Sequence, residues 1–166
     1  MKKYELTDET KVEFGVTLHR IRALVDIVRY GVKAGDLGGW IESEANLDQD
    51  GEAWVYDKAR VFGEARVFGE AWVSGEAWVF GEAWVSKCSH ILTIGRIGSR
   101  DDTTTFFREK VACGLTISVR CGCFRGTVDA FRAKVAQTHG DSKYGKVYQI
   151  AADLAETQIE LDEEAQ

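Results

Sequence analysis

The sequence lacks the features that mark membrane, secreted and disordered proteins. Its 166 residues contain no proline, only four cysteines and 45% hydrophobic residues, and no apolar run approaches the ~20 residues of a membrane span. The opening Met1-Lys2-Lys3-Tyr4-Glu5 leads into polar sequence and not into an apolar leader. Four cysteines without such a leader are typical of reduced thiols, and this hydrophobic content is too high for disorder. We therefore expect a cytoplasmic protein with no membrane partner.

The net charge of −6 conceals a basic segment between two acidic ones. Residues 87–150 hold 11 Lys and Arg against 5 Asp and Glu, whereas residues 1–86 hold 10 against 16 and residues 151–166 hold 0 against 6. The basic segment indicates either an anionic partner or neutralisation within the fold.

A six-residue repeat is the strongest pattern in the chain. Residues 51–86 divide into GEAWVY, DKARVF, GEARVF, GEAWVS, GEAWVF and GEAWVS. Alternation places Ala and Val on one face of a short strand, and the Gly-Glu pair is turn material. Because the period is too short for hairpins, it predicts a solenoid in which each side takes one unit. The frame extends back to Gly39-Trp40-Ile41, after a two-residue insertion near Asp48–Asp50, and forward to Gly95-Arg96-Ile97.

These units resemble the hexapeptide repeats of left-handed parallel β-helix proteins, in the V-x-G-[DNE]-A-x variant found in YdcK-like and other phage or prophage proteins of the polymer-forming type. The segments Lys3–Asp8, His19–Leu24 and Gly35–Glu42 also resemble the N-terminal entry of those proteins. The resemblance implies a mainly β fold with N-terminal capping strands over 1–38, a short left-handed parallel β-helix over 39–97, and a C-terminal α+β module over 98–166 with two helices and an acidic tail. It says little about function, because the same coil serves acyltransferases, structural proteins and binding proteins.

In such a coil, residues eighteen positions apart stack about 4.8 Å from each other. The columns then pair Trp54 with Trp72, Arg60 with Trp78, and Arg66 with Trp84. Four outward tryptophans form a large apolar surface that must be covered by the N-terminal strands, the C-terminal module or another subunit. The candidate protein–protein or homo-oligomer interface therefore comprises Trp54, Trp72, Trp78, Trp84, Arg60 and Arg66.

The flanking segments have their own patterns. A hairpin with its turn near Phe14-Gly15 is predicted before a glycine-rich turn at Gly35–Gly39. After the repeat, strands are predicted at Leu92–Ile94, Thr103–Arg108 and Leu115–Phe124. Thr127 is a suitable N-cap for a helix from Val128 to about Thr138, and a second helix is predicted from about Lys143 to Glu160.

The loop from Gly95 to Thr105 is the candidate binding site. Two arginines, a Gly-Ser turn and three hydroxyls are typical of an anion cradle, and two further arginines lie on an adjacent segment. The predicted anion- or partner-binding residues are Arg96, Ser99, Arg100, Thr103, Thr104, Thr105, Arg120 and Arg125. The alternative is a plain connection between strands in which Arg100 pairs with Asp101 or Asp102.

The Cys121-Gly122-Cys123 segment invites a metal or redox interpretation. A C-x-C pair can contribute to a zinc site, with Cys113, Cys88 or His139 as further ligands, and a thiol beside His139 could act as a nucleophile. No C-x₂-C pair accompanies it, and strand alternation places both cysteines on one face, as for two small core residues. We therefore expect neither a metal nor a cofactor.

His90 is the natural candidate for the general base of a hexapeptide-repeat acyltransferase. Such enzymes carry an extruded loop and further coils, and this chain has neither, so we expect His90 to end the Trp54–Trp72 stack. The favoured function is a non-enzymatic binding protein of phage or prophage type, acting in the host cytosol. A counter-defence role would inhibit a host immune complex or sequester an anionic nucleotide or nucleic acid. The alternatives are a self-assembling structural module and, with less support, an acyltransferase.

Overall fold

The structure of the protein is a computed structural model, and it describes residues 1–162. The chain forms two compact units, Met1–Cys88 and Ser89–Gln166. The predicted acidic tail spans residues 160–164, and its last two residues lie outside the described residues.

The first unit opens with the predicted hairpin. Strands β1 (Tyr4–Glu13) and β2 (Val16–Ala23) pair antiparallel around Phe14 and Gly15, whose φ angles are +52° and +80°. Strand β3 (Leu37–Ile41) then pairs antiparallel with β2. The 3₁₀ turns at Val28–Tyr30 and Glu44–Asn46 connect these strands to each other and to the repeat.

The repeat forms six strands of two residues each. They are β4 (Trp54–Val55), β5 (Arg60–Val61), β6 (Arg66–Val67), β7 (Trp72–Val73), β8 (Trp78–Val79) and β9 (Trp84–Val85). Parallel pairing joins β4 to β7, β5 to β8 and β6 to β9, so the predicted register of eighteen residues is confirmed. Trp40 lies opposite Arg60, which confirms the two-residue insertion between them. The valine of each strand is fully buried.

The prediction that the chain folds as a left-handed parallel β-helix, a solenoid, is wrong. The two larger sheets are mixed and antiparallel: one is a mixed sheet of order β1-β2-β3-β5-β8, and a separate four-stranded sheet is antiparallel throughout, whereas parallel pairing alone is confined to the two-stranded pairs β4-β7 and β6-β9. Two residues per repeat strand form few ladder bonds, so the longer antiparallel strands at both ends supply most of the pairing. The predicted repeat units at 89–97 are also absent, because Ile91–Ile97 pairs antiparallel with the following strand. The described residues thus form a mainly β fold of several small sheets with two C-terminal helices.

Close packing explains two of the glycines before the repeat. A Cβ on Gly38 would lie 2.6 Å from the Val55 carbonyl oxygen and 2.7 Å from the Trp54 ring. A Cβ on Gly39 would lie 2.8 Å from the Ala59 carbonyl oxygen. The absence of a side chain therefore allows β3 to approach the first repeat strands.

Lys3 is a buried cation in the first unit, with 4% of its surface exposed. Its ammonium donates hydrogen bonds to the carbonyl oxygens of Ala53 at 2.9 Å and Asp50 at 3.3 Å. Burial lowers the pKa of Lys3 from 10.5 to about 8, against the opposing attraction of Asp48 and Asp50. Burial also raises the pKa of the neighbouring Tyr4.

The second unit is an antiparallel sheet packed against two helices. The strands are β10 (Ile91–Ile97), β11 (Asp102–Val111), β12 (Gly114–Cys121) and β13 (Phe124–Thr127), in that order across the sheet. Helix α1 (Val128–His139) begins after Thr127, whose side chain accepts from the Ala130 amide, and α2 (Lys143–Gln158) begins after Ser142. The two predicted helices and the Thr127 cap are confirmed. The core contains Phe106, Ile117, Val119, Phe131, Val135, Tyr148 and Ala152 among others.

No helix within residues 1–162 is long and apolar enough to cross a membrane.

We expect Gly38→Ala to lower the free energy of unfolding by about 1–3 kcal/mol, because the added methyl group meets backbone and ring atoms that are already packed. Urea unfolding followed by tryptophan fluorescence measures this, since all five tryptophans lie between residues 40 and 84. Thr17→Ala, at an exposed position of β2, is the control and should change stability by no more than about 0.5 kcal/mol. Equal effects of the two substitutions would contradict the packing argument.

We expect stability to rise with pH between about 8 and 10 because of Lys3. The folded state releases the Lys3 proton near pH 8, whereas the unfolded chain holds it until about 10.5, so the unfolded state binds more protons in this window. Lys3→Met should remove this rise, and Lys2→Met, at an exposed lysine paired with Glu44, should keep it. The prediction is tested by urea unfolding midpoints at about pH 7.5, 8.5 and 9.5, which span the lowered pKa of Lys3. A rise that persists in Lys3→Met would assign it to another group.

Candidate functional site

A cavity of about 170 Å³ lies in the second unit, between strand turns and both helices. The β10–β11 turn supplies Ser99 and Arg100, and the β12–β13 turn supplies Gly122 and Cys123. The remaining lining residues come from strand ends and helices: Asp102, Cys121, Phe124, Phe131, Lys134, Val135, Thr138, His139 and Tyr148. We call this space the Arg100 cavity.

Arg100 lies across the opposite turn. Its Nη1 donates a hydrogen bond to Cys123 Sγ at 3.8 Å, and it is 3.5 Å from the position that a Cβ on Gly122 would take. The two adjacent carboxylates are engaged elsewhere: Asp101 pairs with Arg96 at 3.7 Å, and Asp102 Oδ1 accepts from the Thr103 amide at 2.7 Å. Arg100 forms no ion pair with a carboxylate of residues 1–162. The alternative in which Arg100 pairs with either neighbour is therefore not observed.

Tyr148 of α2 is the one residue of that helix that lines the cavity. Its hydroxyl interacts with Ser99 and Cys121, and burial, followed by the effect of Cys121, raises its pKa. A Cβ on Gly98 would lie 1.8 Å from the Tyr148 hydroxyl oxygen, so this contact requires glycine at the turn. The Cys121 sulfur also accepts a hydrogen bond from Thr104 Oγ1 at 3.2 Å.

Aromatic rings make one wall of the cavity apolar. The Phe131 ring centroid lies 5.4 Å from that of Phe124 and 5.6 Å from that of Tyr148. The His139 ring lies 5.5 Å from Tyr148 at the end of α1. The cavity thus combines an apolar wall with two cationic side chains, Arg100 and Lys134, and one carboxylate, Asp102.

The residues predicted to form one anion-binding site do not lie together in the structure. Ser99 and Arg100 line the cavity, whereas Arg96 is 82% exposed and pairs with Asp101 outside it. Thr104 is fully buried, and its hydroxyl donates to the Cys121 sulfur. The remaining predicted residues, Thr103, Thr105, Arg120 and Arg125, alternate onto the other face of the sheet.

The strand register shows this second group directly. Thr105 lies opposite Arg120, and Arg120 lies opposite Arg125. Because neighbours in a strand point to opposite faces, these residues face away from the side that carries Cys121 and Phe106. Burial lowers the pKa of Arg120, and the Asp102 carboxylate opposes that shift.

Among the helical residues that line the cavity, sequence reasoning singled out only His139, as a companion of the Cys121-Gly122-Cys123 thiols, and missed the others as site residues. On α1, Phe131, Lys134, Val135, Thr138 and His139 follow the three- and four-residue spacing of one helix face. That spacing was a usable signal. Tyr148 on α2 carries no local signal of its role, because its contact partner is the turn at Gly98.

The prediction that the two cysteines lie on one face of a continuous strand is wrong. Strand β12 ends at Cys121, which pairs with Phe124, and Gly122 with φ +55° forms the turn together with Cys123. Cys123 is exposed and Cys121 is partly buried, so the expectation of two core residues is wrong for Cys123. Within residues 1–162, no group of three or more His, Cys, Asp or Glu residues could hold a metal ion.

The predicted aromatic interface lies in the first unit and is partly covered by that unit itself. Trp54 is fully buried, with the Tyr4 ring 6.3 Å away in an edge-on arrangement. The Trp72 ring centroid lies 4.5 Å from that of Tyr30 and 5.3 Å from that of Tyr56. The outward orientation predicted for Trp54 therefore exposes none of its surface.

The other two columns carry the predicted cation–π pairs. The Arg60 guanidinium lies 4.4 Å from the Trp78 ring, and the Phe14 ring lies 5.4 Å from the same tryptophan. The Arg66 guanidinium lies 5.1 Å from the Trp84 ring. Such pairs contribute about 0.5–1 kcal/mol each at exposed sites.

No family model matches the chain. Over 66 residues, the chain is 36% identical to the uncharacterized acetyltransferase YdcK of Escherichia coli (strain K12), a match that covers 35% of this chain and 20% of the relative. The chain thus spans about a fifth of the length of the curated relative that it matches. The match supports a likeness to hexapeptide-repeat proteins, and it gives no link to phage proteins.

Proposed function

We propose that the chain is a non-enzymatic binding protein whose second unit takes up a small organic anion in the Arg100 cavity. The observation that carries the proposal is the guanidinium of Arg100, which lies at an apolar-walled cavity without a described carboxylate partner. Lys134 adds a second cation, and its ammonium donates to Gln137 at 3.3 Å. An arginine presents donors in a geometry that matches carboxylate and phosphate groups.

The dimensions of the cavity favour a ligand smaller than a nucleotide. Drug-sized ligands occupy pockets of about 300–1,000 Å³, and this cavity has about 170 Å³. We therefore propose a phosphate or carboxylate carried by a short apolar or aromatic group. A nucleotide or a nucleic acid would place only one phosphate or one base in this space.

The hydroxyls around the cavity would complete the recognition of an anion. Ser99, Thr138 and Tyr148 line the space beside Arg100, and hydroxyl groups donate readily to phosphate oxygens. Charge attraction at an exposed arginine is weak in water, so the apolar wall would contribute much of the affinity.

Acyl transfer is the second candidate, because the E. coli relative is named an acetyltransferase. That name concerns a protein of which this chain spans a fifth, and it neither supports nor excludes an enzyme here. His90, the residue predicted as general base, is 1% exposed. A bound acyl acceptor could not reach its imidazole without movement of the surrounding chain.

Two broader roles, as a partner of a host protein complex and as a self-assembling module, are also proposals. A host protein complex as partner and a counter-defence role rest on the resemblance alone. A self-assembling structural module would use the aromatic columns, and the burial of Trp54 and the contact of Trp72 with Tyr30 within the first unit reduce the apolar surface available for it.

We expect phenyl phosphate to raise the unfolding temperature of the protein through the Arg100 cavity. At about one hundred times the dissociation constant, a ligand stabilises the folded state by about 2.7 kcal/mol, a shift of several degrees. Inorganic phosphate should give a smaller shift because it lacks a group for the apolar wall, and phenol should give little. Differential scanning fluorimetry at low salt measures all three.

Arg100→Gln should abolish the shift by phenyl phosphate. Arg96→Gln is the matched control, because Arg96 lies in the same loop but outside the cavity and pairs with Asp101. No stabilisation by any of these anions, or equal losses in both variants, would overturn the proposed function.

A further inference from the structure

The Cys121-Gly122-Cys123 turn places two thiols on the wall of one cavity. Cys123 is exposed and Cys121 is partly buried, and neither forms a disulfide. We propose that these two sulfurs bind a soft monovalent metal cation, Cu(I), as a two-coordinate site.

The ligands present select this kind of metal. Thiolates are soft donors that prefer Cu(I), whereas structural zinc requires four ligands in a tetrahedron. His139 lines the same cavity, but the described part of the chain offers no set of three or more His, Cys, Asp or Glu for a metal ion. Two sulfurs without a third ligand suit a monovalent ion with a filled d shell, which accepts linear coordination.

The charge around the turn fits the product of such binding. Cu⁺ displaces both thiol protons, so Cu⁺ + 2 RSH gives [Cu(SR)₂]⁻ + 2 H⁺, and no electron is transferred. The complex is an anion, and Arg100 Nη1 already lies 3.8 Å from Cys123 Sγ. A guanidinium without a described carboxylate partner can therefore neutralise the new negative charge.

Hydrogen-bond donors also surround the second sulfur. Thr104 Oγ1 donates to Cys121 Sγ at 3.2 Å, and the Tyr148 hydroxyl interacts with the same sulfur. Outer groups of this kind orient a metal ligand and tune its basicity. Gly122, with φ +55°, gives the turn the conformation that holds Cys121 and Cys123 at one cavity.

The proposed Cu(I) site goes beyond the proposed function, because its ligands are the two sulfurs, whereas the anion site depends on the cationic side chains of Arg100 and Lys134. Arg100 is common to both. Substitutions of Cys121 and Cys123 leave Arg100 in place, so the binding of phenyl phosphate to those variants distinguishes failure of the metal site from failure of the anion site.

The test uses the full chain carrying Cys88→Ser and Cys113→Ser. Both cysteines are exposed, and Cys113 also lies in a hairpin turn, between β11 and β12. Anaerobic competition with the chromophoric Cu(I) complex of bicinchoninate should give one Cu(I) per chain. Adding Cys121→Ser or Cys123→Ser should weaken binding by more than about tenfold, and Arg100→Gln should weaken it by about tenfold with unchanged stoichiometry.

The reciprocal variant keeps Cys88 and Cys113 and replaces Cys121 and Cys123 by serine. It should bind no Cu(I) under the same competition with bicinchoninate. Binding as strong as in the Cys121/Cys123 protein would overturn the proposal, as would no Cu(I) uptake by the latter. Circular dichroism checks that each variant folds.

A second measurement covers variants that fail to fold. In the unaltered chain, one equivalent of Cu(I) should protect Cys121 and Cys123 from iodoacetamide, and peptide mass spectrometry should show Cys113 still modified. Equal protection of Cys113 would show that the metal binds thiols without preference and would contradict the proposal.

Discussion

Burial of one alanine and one valine in every six residues is the constraint on which the first unit depends. Each valine of the two-residue strands is fully buried, as are the alanines that precede them. A buried valine contributes about 1.5–3 kcal/mol relative to an exposed one. A shift of one residue would turn Trp and Arg inward and Val outward, so the burial fixes the register of each parallel pair.

The register in turn decides which aromatic side chains meet. Trp54 lies opposite Trp72, and Arg60 lies opposite Trp78, because each pair is eighteen positions apart. The N-terminal strands then cover part of this surface, with Tyr4 beside Trp54 and Phe14 beside Trp78. An apolar surface that would otherwise be a liability thus becomes an internal contact of the unit.

In the second unit, two turns determine the arrangement of the Arg100 cavity. Gly98 and Gly122 lie in the two turns that flank the Arg100 cavity, and both have φ angles in the left-handed region. Gly98 admits the Tyr148 hydroxyl, and Gly122 lies beneath Arg100. Strands and helices supply the walls, but these turns decide which polar groups face the space.

Sequence patterns predicted the local features because each depends on neighbouring residues. The hairpin at Phe14-Gly15, the repeat register and the helix that begins after Thr127 all follow from alternation, spacing or capping. The predicted overall architecture, a parallel β-helix, was wrong because the architecture depends on which strands add to the edges of the repeat. No spacing in the sequence states that β2 pairs with β3 or that β10 turns back onto β11.

The candidate site shows the same limit at the level of side chains. The loop around Arg100 was identified from its composition, yet strand alternation sends Arg120 and Arg125 to the opposite face from Cys121. Lys134 and His139 join Arg100 only because α1 packs on that side of the sheet.

The two ligands proposed for this cavity would share a single guanidinium. Arg100 would face either the proposed organic anion or the proposed copper–thiolate anion, and both would carry negative charge at the same turn. Coulomb attraction does not distinguish them, so selectivity must come from the neighbouring groups. The apolar wall of Phe124 and Phe131 favours the organic anion, and the sulfurs of Cys121 and Cys123 favour the metal. Because the two ligands would share Arg100, each would weaken the binding of the other, and by linkage the effect would be equal in both directions.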